Sequence, residues 1–408
     1  MRLHAFRALR PPPAIAGEVA AVPYDVVNRE EAAELAAGNP RSFLHVGRPD
    51  IDLPPETDAY DARVYAQGRA ALDAFMANGT LVRDDQPALY LYRLVMHGRQ
   101  QVGIVGCVHV DDYEQDLIRK HEKTRKDKED DRTRHVLTLN AHAEPVFLAY
   151  RPVEAVDGLV AQAIQASPLY DFTAPDSVRH SLWKVAPADS LVRAFAAVPL
   201  AYVADGHHRS ASAWRAGRER RAANPNHTGD EEYNWFLAVL FPSDQLDILP
   251  YNRLVKDLDG LGPEQFLAKL GTLGRVERTT DPVPPVAGSF CVYLPGGWSR
   301  VTIDAATIDA RDPIGSLDVS LLQERVLTPL LGVGDPRTDK RIDFVGGIRG
   351  TAELERRVDS GEMAVGFSLH PTTMDQLLAV SDAGEIMPPK STWFEPKLRS
   401  GLLVHELE

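Results

Sequence analysis

Asp205-Gly206-His207-His208-Arg209 gathers a carboxylate, a glycine, two imidazoles and a guanidinium into five consecutive residues. The apolar run before it, Pro199 to Ala204, reads as a buried strand, and Ser210 to Arg220 reads as a helix. Gly206 permits a tight turn and lets a ligand approach the backbone. The first amides of the helix have no intrahelical partner and sit at its positive dipole end, which suits phosphate. Arg209 adds a planar fork for phosphate oxygens. His207 and His208 can donate to phosphate or pass a proton, and Asp205 can hold Mg²⁺ through oxygen. The plainer reading makes Asp205 a helix cap and the imidazoles crevice fillers. Five consecutive residues of this chemistry at a strand-to-helix turn favour the ligand.

Three other stretches carry reactive types. In Arg119-Lys120-His121-Glu122-Lys123-Thr124, a zinc protease helix is excluded, because Arg125 stands where a second histidine is required. Glu122 can act as an ionised general base there, with Lys120 and His121 neutralising phosphoryl oxygens. The bland alternative is one turn of a solvated helix. Asp25, in Val22-Pro23-Tyr24-Asp25-Val26-Val27, can orient a substrate hydroxyl or merely cap the next helix. Lys390-Ser391-Thr392-Trp393-Phe394 lacks the upstream glycines of a phosphate loop and reads as an anchor for the tail. No GxxxxGK[ST], GxGxxG or GxSxG pattern occurs, which removes support for P-loop, Rossmann and α/β-hydrolase readings.

The elements that must position these residues follow from periodicity and punctuation. Asn28 looks like the cap of a helix ending near Gly38, and a second helix spans 58–78. Residues 88–96 and 101–110 read as a hairpin turned at 97–100. The segment 111–134 holds nine acidic and eight basic residues. Pairs such as Glu122/Lys126 and Asp130/Arg134 make it read as a solvated helix. Further strands are expected at 146–150, 180–185, 199–204, 235–242, 289–294, 298–303, 341–345 and 363–369, with helices near 156–166 and 317–327. Strands and helices mix without strict alternation, so the class is α/β (α+β) with mixed sheets.

The 408 residues allow two or three domains, and 44% apolar with 25% charged residues is ordinary globular composition. A net charge of −13 repels nucleic acid, and no basic stretch with interleaved aromatics overrides it. No apolar run is long enough for a membrane span, and Cys107 and Cys291 suit a reducing, cytoplasmic setting.

The motifs Val22–Val27, His121–Thr124 with Asp131-Arg132, Ala204–Arg209, and Met387–Thr392 with Pro396-Lys397-Leu398 together resemble domain-of-unknown-function family 1015. The Asp-Gly-His-His-Arg loop also resembles that of free-serine kinases of the ParB/sulfiredoxin-like superfamily. That resemblance implies a ParB/sulfiredoxin-like nucleotide-binding core within 1–250 and an additional α+β region over 251–408. It implies phosphate contacts from Gly206, His207, His208 and Arg209, and a metal or catalytic role for Asp205. The implied activity is a phosphotransferase acting on free L-serine with Mg²⁺ and ATP or ADP; the resemblance does not fix the base, for which Glu122 and Asp25 are the candidates. A phosphoserine phosphatase and a non-catalytic nucleotide-binding module are the rival readings.

Overall fold

A computed structural model describes residues 1–408. Asn28 accepts the Glu31 amide while Glu31 accepts that of Asn28, a capping box that starts helix α1, Arg29–Ala36. Asp61 caps α2, Ala62–Ala77, which buries Val64, Tyr65, Leu72 and Phe75. Strands β1, Leu89–Met96, and β2, Arg99–His109, form a hairpin. Its turn is His97-Gly98, both at positive φ, as a two-residue turn twisted to match its strands demands.

The charged segment departs from expectation. It is not one solvated helix but a short helical turn, a two-residue strand β3 at Ile118–Arg119, a loop, and helix α3, Lys126–Leu139. Asp131, Arg132, Thr133 and His135 are buried. Asp130 pairs with Arg215, and Arg134 donates to the Tyr60 carbonyl, so charges spaced for local pairing are used between elements instead.

The chain continues through β4 (Val146–Tyr150), β5 (Tyr170–Thr173), β6 (Arg179–Val185), β7 (Ala201–Asp205), helix α4 (His207–Ala223) and β8 (Trp235–Pro242). These strands make a mixed nine-stranded sheet in the order β3-β7-β4-β8-β2-β1-β6-β5, with Leu3–His4 added against β2. The sheet is almost wholly apolar at its centre: Ile104, Leu148, Val203, Phe236, Ala238 and Leu240 are buried in one cluster. That is why β7 and β8 appear in the sequence as unbroken hydrophobic runs. Helix α4 buries chiefly small residues, Ser210, Ala211, Ser212, Ala213, Ala216 and Gly217. A Cβ on Gly217 would lie 2.7 Å from the Tyr233 carbonyl oxygen, so the close approach there requires glycine.

Two compact units result, 1–246 with 396–408, and 247–395. The second contains a six-stranded sheet ordered β10-β12-β11-β14-β9-β13. Its strands are β9 (Tyr251–Val255), β10 (Gly274–Arg278), β11 (Ser289–Leu294), β12 (Gly297–Ile303), β13 (Ile342–Gly346) and β14 (Val365–Leu369). The last residues of the chain return to the first unit, where His405–Glu406 pair with Ala141–His142. No helix is long and apolar enough to cross a membrane.

Candidate phosphate-binding site

Strand β7 pairs with β4, and the register shifts between Val203 and Asp205. Such an irregularity re-aims the residue that follows it. Here it turns Asp205 out of the sheet and into the turn that starts α4. Gly206 occupies the cap position at φ 92. A Cβ there would be strained by that φ and would lie 3.0 Å from Arg209 Nε. Gly206→Ala is therefore expected to lower stability by about 1–2 kcal/mol, the cost of left-handed backbone for an L side chain. Chemical denaturation at neutral pH checks this; an unchanged midpoint would show that the turn is not under this constraint.

The Gly206 carbonyl accepts from the Ser210 amide and hydroxyl, at 2.9 and 3.1 Å. The amides of His207, His208 and Arg209 have no side-chain cap and no backbone acceptor. Unoccupied polar groups beside them point the same way. His207 is 6% exposed and His121 1% exposed, and their rings meet edge to face at 4.4 Å. His207 Nε2, both nitrogens of His121 and Arg209 Nε are buried without a hydrogen-bond partner. Buried polar atoms are seldom left so, and a bound water, ion or ligand ordinarily satisfies such a cluster. Burial pushes the His121 pKa down to about 4, and it pushes His207 well below the usual histidine range, with His121 adding to the effect. Both rings are thus neutral at pH 7, each offering one N–H and one lone pair.

Arg209 does not present its fork outward. Nη1 donates to the Pro145 carbonyl at 2.6 Å, and Nη2 donates to Asp205 at 3.1 Å and faces Asp25 at 3.5 Å. The guanidinium is a brace beneath the turn, with only Nε left over. His208 is also spent: its Nε2 accepts the Arg125 amide at 3.1 Å, pinning the 120–125 loop to α4. Lys120 turns away to Asp116 at 2.6 Å and to the Tyr113 carbonyl and ring. Glu122 is more than half exposed, with Oε2 3.8 Å from His207 Nδ1, within ion-pair range but beyond hydrogen-bond length.

Three residues without an expected role join the group. Lys397 places its ammonium 3.8 Å from Asp205. Glu144 accepts the Tyr24 amide at 3.1 Å, and Arg132 lies 4.1 Å over the Tyr24 ring. Burial raises the Glu144 pKa against the pull of Arg209 and Arg132. Asp205 is also pushed up by burial, but Lys397 and Arg209 outweigh it and hold its carboxyl below the ordinary range. Glu144 did carry a sequence signal: it is the lone acidic residue between Val136 and Tyr150, just before the proline that opens β4. Lys397 carried only its place in the Pro396-Lys397-Leu398 motif.

Asp205 Oδ2 faces both a guanidinium and an ammonium. No three His, Cys, Asp or Glu side chains gather around it, so a Mg²⁺ held there would draw the rest of its ligands from phosphate oxygens and water. Behind the turn, a cavity of about 20 Å³ lined by Arg132, His135, His142, Glu144 and Arg209 has room for one water. That cavity is too small for a phosphate group; the amides without partners and His207 lie at the start of α4.

Among solved structures, the chain overlaps a free serine kinase in complex with AMP at 12% identity and a TM-score of 0.35, covering 74% of this chain and 91% of that one. A conserved hypothetical protein from Pyrococcus furiosus overlaps at 13% identity and 0.35, covering 74% and 95%. SbnI from Staphylococcus aureus with a C-terminal truncation overlaps at 13% and 0.38, covering 74% and 87%. Overlaps of this size define neither substrate nor reaction. No curated protein matches the sequence. Residues 3–320 match the family model described as "Protein of unknown function (DUF1015)", which takes in the Val22–Val27, His121–Thr124 and Asp205–Arg209 motifs. The chain belongs to the DUF1015 family.

Proposed function

We propose that the first unit is a small-molecule phosphotransferase that takes a phosphoryl group from ATP or ADP and passes it to the hydroxyl of free L-serine. The observation that carries this reading is the cluster of unoccupied donors at the start of α4: three amides, His207, His121 and Arg209 Nε. Phosphoryl transfer needs little covalent help from a protein and depends on positioning and charge stabilisation. The amides and imidazole N–H groups bind phosphate oxygens, and Lys397 supplies a cation beside them.

Asp25 is the better-placed base. It faces the same Arg209 nitrogen as Asp205, at 3.5 Å, is partly exposed, and can take the hydroxyl proton as the new O–P bond forms. Glu122 faces His207 at 3.8 Å and is the alternative base.

Incubation with ATP or ADP and serine, followed by ³¹P detection of phosphoserine, tests the proposal. Asp25→Asn is expected to lose at least about 100-fold in turnover, the usual contribution of a general base, while nucleotide still raises its melting temperature. His207→Ala is expected to lose that thermal shift. Release of inorganic phosphate from phosphoserine alone would mark hydrolysis instead. If neither nucleotide nor phosphoserine shifts the melting temperature, the reading fails.

A further inference from the structure

Arg253, in the middle of β9, is 4% exposed, yet no carboxylate faces it; Tyr251 is the one titratable group with an electrostatic effect on it. Its N–H groups go to neutral carbonyls, those of Tyr251, of Lys390 at 2.9 Å and of Pro389 at 3.4 Å. The guanidinium lies 4.7 Å from the Phe344 ring centre and 6.0 Å from that of Tyr251. A second cation converges on the same ring: the Lys390 ammonium is 5.4 Å from the Tyr251 centroid. Burial lowers the Arg253 pKa, and no carboxylate counters it. Aromatic faces and carbonyl dipoles offset only part of the cost of burying a cation, and an anion offsets the rest.

The turn that carries Lys390 is firmly held. Ser391 Oγ donates to the Pro388 carbonyl at 2.6 Å, and Thr372 Oγ1 donates to the Ser391 carbonyl at 3.1 Å. Trp393 packs on β13 so tightly that a Cβ on Gly346 would lie 2.7 Å from its ring. Beyond β14, whose last amide is held by Asn252 at 3.1 Å, His370 keeps Nδ1 buried and without a partner. The Lys390–Phe394 stretch, which the sequence suggested was a tail anchor, thus also delivers a cation to a buried arginine.

We propose that the second unit binds the phosphate group of a small phosphorylated molecule, seated between Arg253 and Lys390 at the edge of Tyr251. Two cations match the near-double negative charge of a phosphate monoester at pH 7, whereas a monocarboxylate leaves one unmatched. The assignment rests on residues of the second unit alone.

Calorimetric titration with inorganic phosphate at low ionic strength tests it, in a His207→Ala background so that anion binding by the first unit does not mask the signal. Phosphate is expected to bind, and acetate to bind at least tenfold more weakly. Adding Lys390→Ala, an exposed substitution that leaves the fold intact, is expected to weaken phosphate at least tenfold. Adding Arg253→Met is expected to abolish binding, with circular dichroism confirming that the protein is folded. Absence of phosphate binding in the His207→Ala background overturns the proposal, as does an isotherm that Lys390→Ala leaves unchanged. If the His207→Ala protein binds phosphate as tightly as the parent and Lys390→Ala removes that binding, this proposal stands and the phosphate seat of the first unit falls.

Discussion

Arg209→Met is expected to destabilise the protein by about 3–5 kcal/mol at pH 7, the cost of breaking a buried ion pair from one side. Methionine fills much of the volume but replaces a guanidinium that holds Asp205 at 3.1 Å, Asp25 at 3.5 Å and the Pro145 carbonyl at 2.6 Å. Arg209, with Arg132, also pulls the Glu144 carboxyl down against the burial that raises it. The pH dependence identifies the cause. Asp205 has a depressed pKa in the folded protein, so its contribution is present above the unfolded carboxylate range and lost as pH falls through the folded value. Without Arg209 that depression shrinks, and the Glu144 pKa, already raised by burial, rises further. The gap between parent and variant is therefore wide at pH 7 and narrower at pH 6. Urea denaturation at both values measures it; a gap of the same size at both would mean that lost packing, not unpaired charge, dominates.

The second large effect is acid lability of the first unit. His121, His135, His142, His180 and His207 are all buried, and burial is the leading cause that lowers each of their pKa values, to about 3 for His135 and His180 and about 4 for His121. In the unfolded chain each titrates near 6.5. A depressed group lends its stability above the unfolded pKa and loses it as pH falls, because the unfolded state then binds the extra proton. His121, His135 and His180 each cost about 2 kcal/mol by pH 5, from roughly 1.4 kcal/mol per pH unit, and His142 and His207 act in the same direction. The three together already fall within the roughly 5–15 kcal/mol that typically separates folded from unfolded protein. The first unit is expected to unfold near pH 5, well above the range where carboxylates alone would cause it. Tyrosine and tryptophan fluorescence across pH 4–8 follows this directly. Equal urea midpoints at pH 5 and pH 7 would contradict it.

Much of the local structure was determined by the sequence alone, because the forces involved are local. Asn28 and Glu31 are three residues apart and cap a helix whatever lies around them. His97-Gly98 sets its hairpin through backbone conformation. Trp235–Pro242 is too apolar to be anything but a buried strand. The Asp205–Arg209 turn was legible for the same reason, since Gly206 at a strand-to-helix junction and free helix amides are properties of adjacent residues.

The tertiary structure alone decided how each charge is used. Residue type gave Arg209 a fork for phosphate, Lys120 a phosphoryl contact and residues 111–134 a solvated face. Packing gave the fork to Pro145 and Asp205, Lys120 to Asp116, and buried Asp131 and Arg132. Long charged side chains reach partners dozens of residues away, and local spacing cannot reveal which partner the fold brings within reach. Glu144 and Lys397 joined Asp205 by the same long-range route, the latter because the last residues of the chain fold back onto the first unit. Arg253 is the clearest case. Nothing beside it in β9 distinguishes it from a surface arginine, and only its enclosure by Phe344, Tyr251 and the Lys390 turn makes it a buried cation in need of an anion.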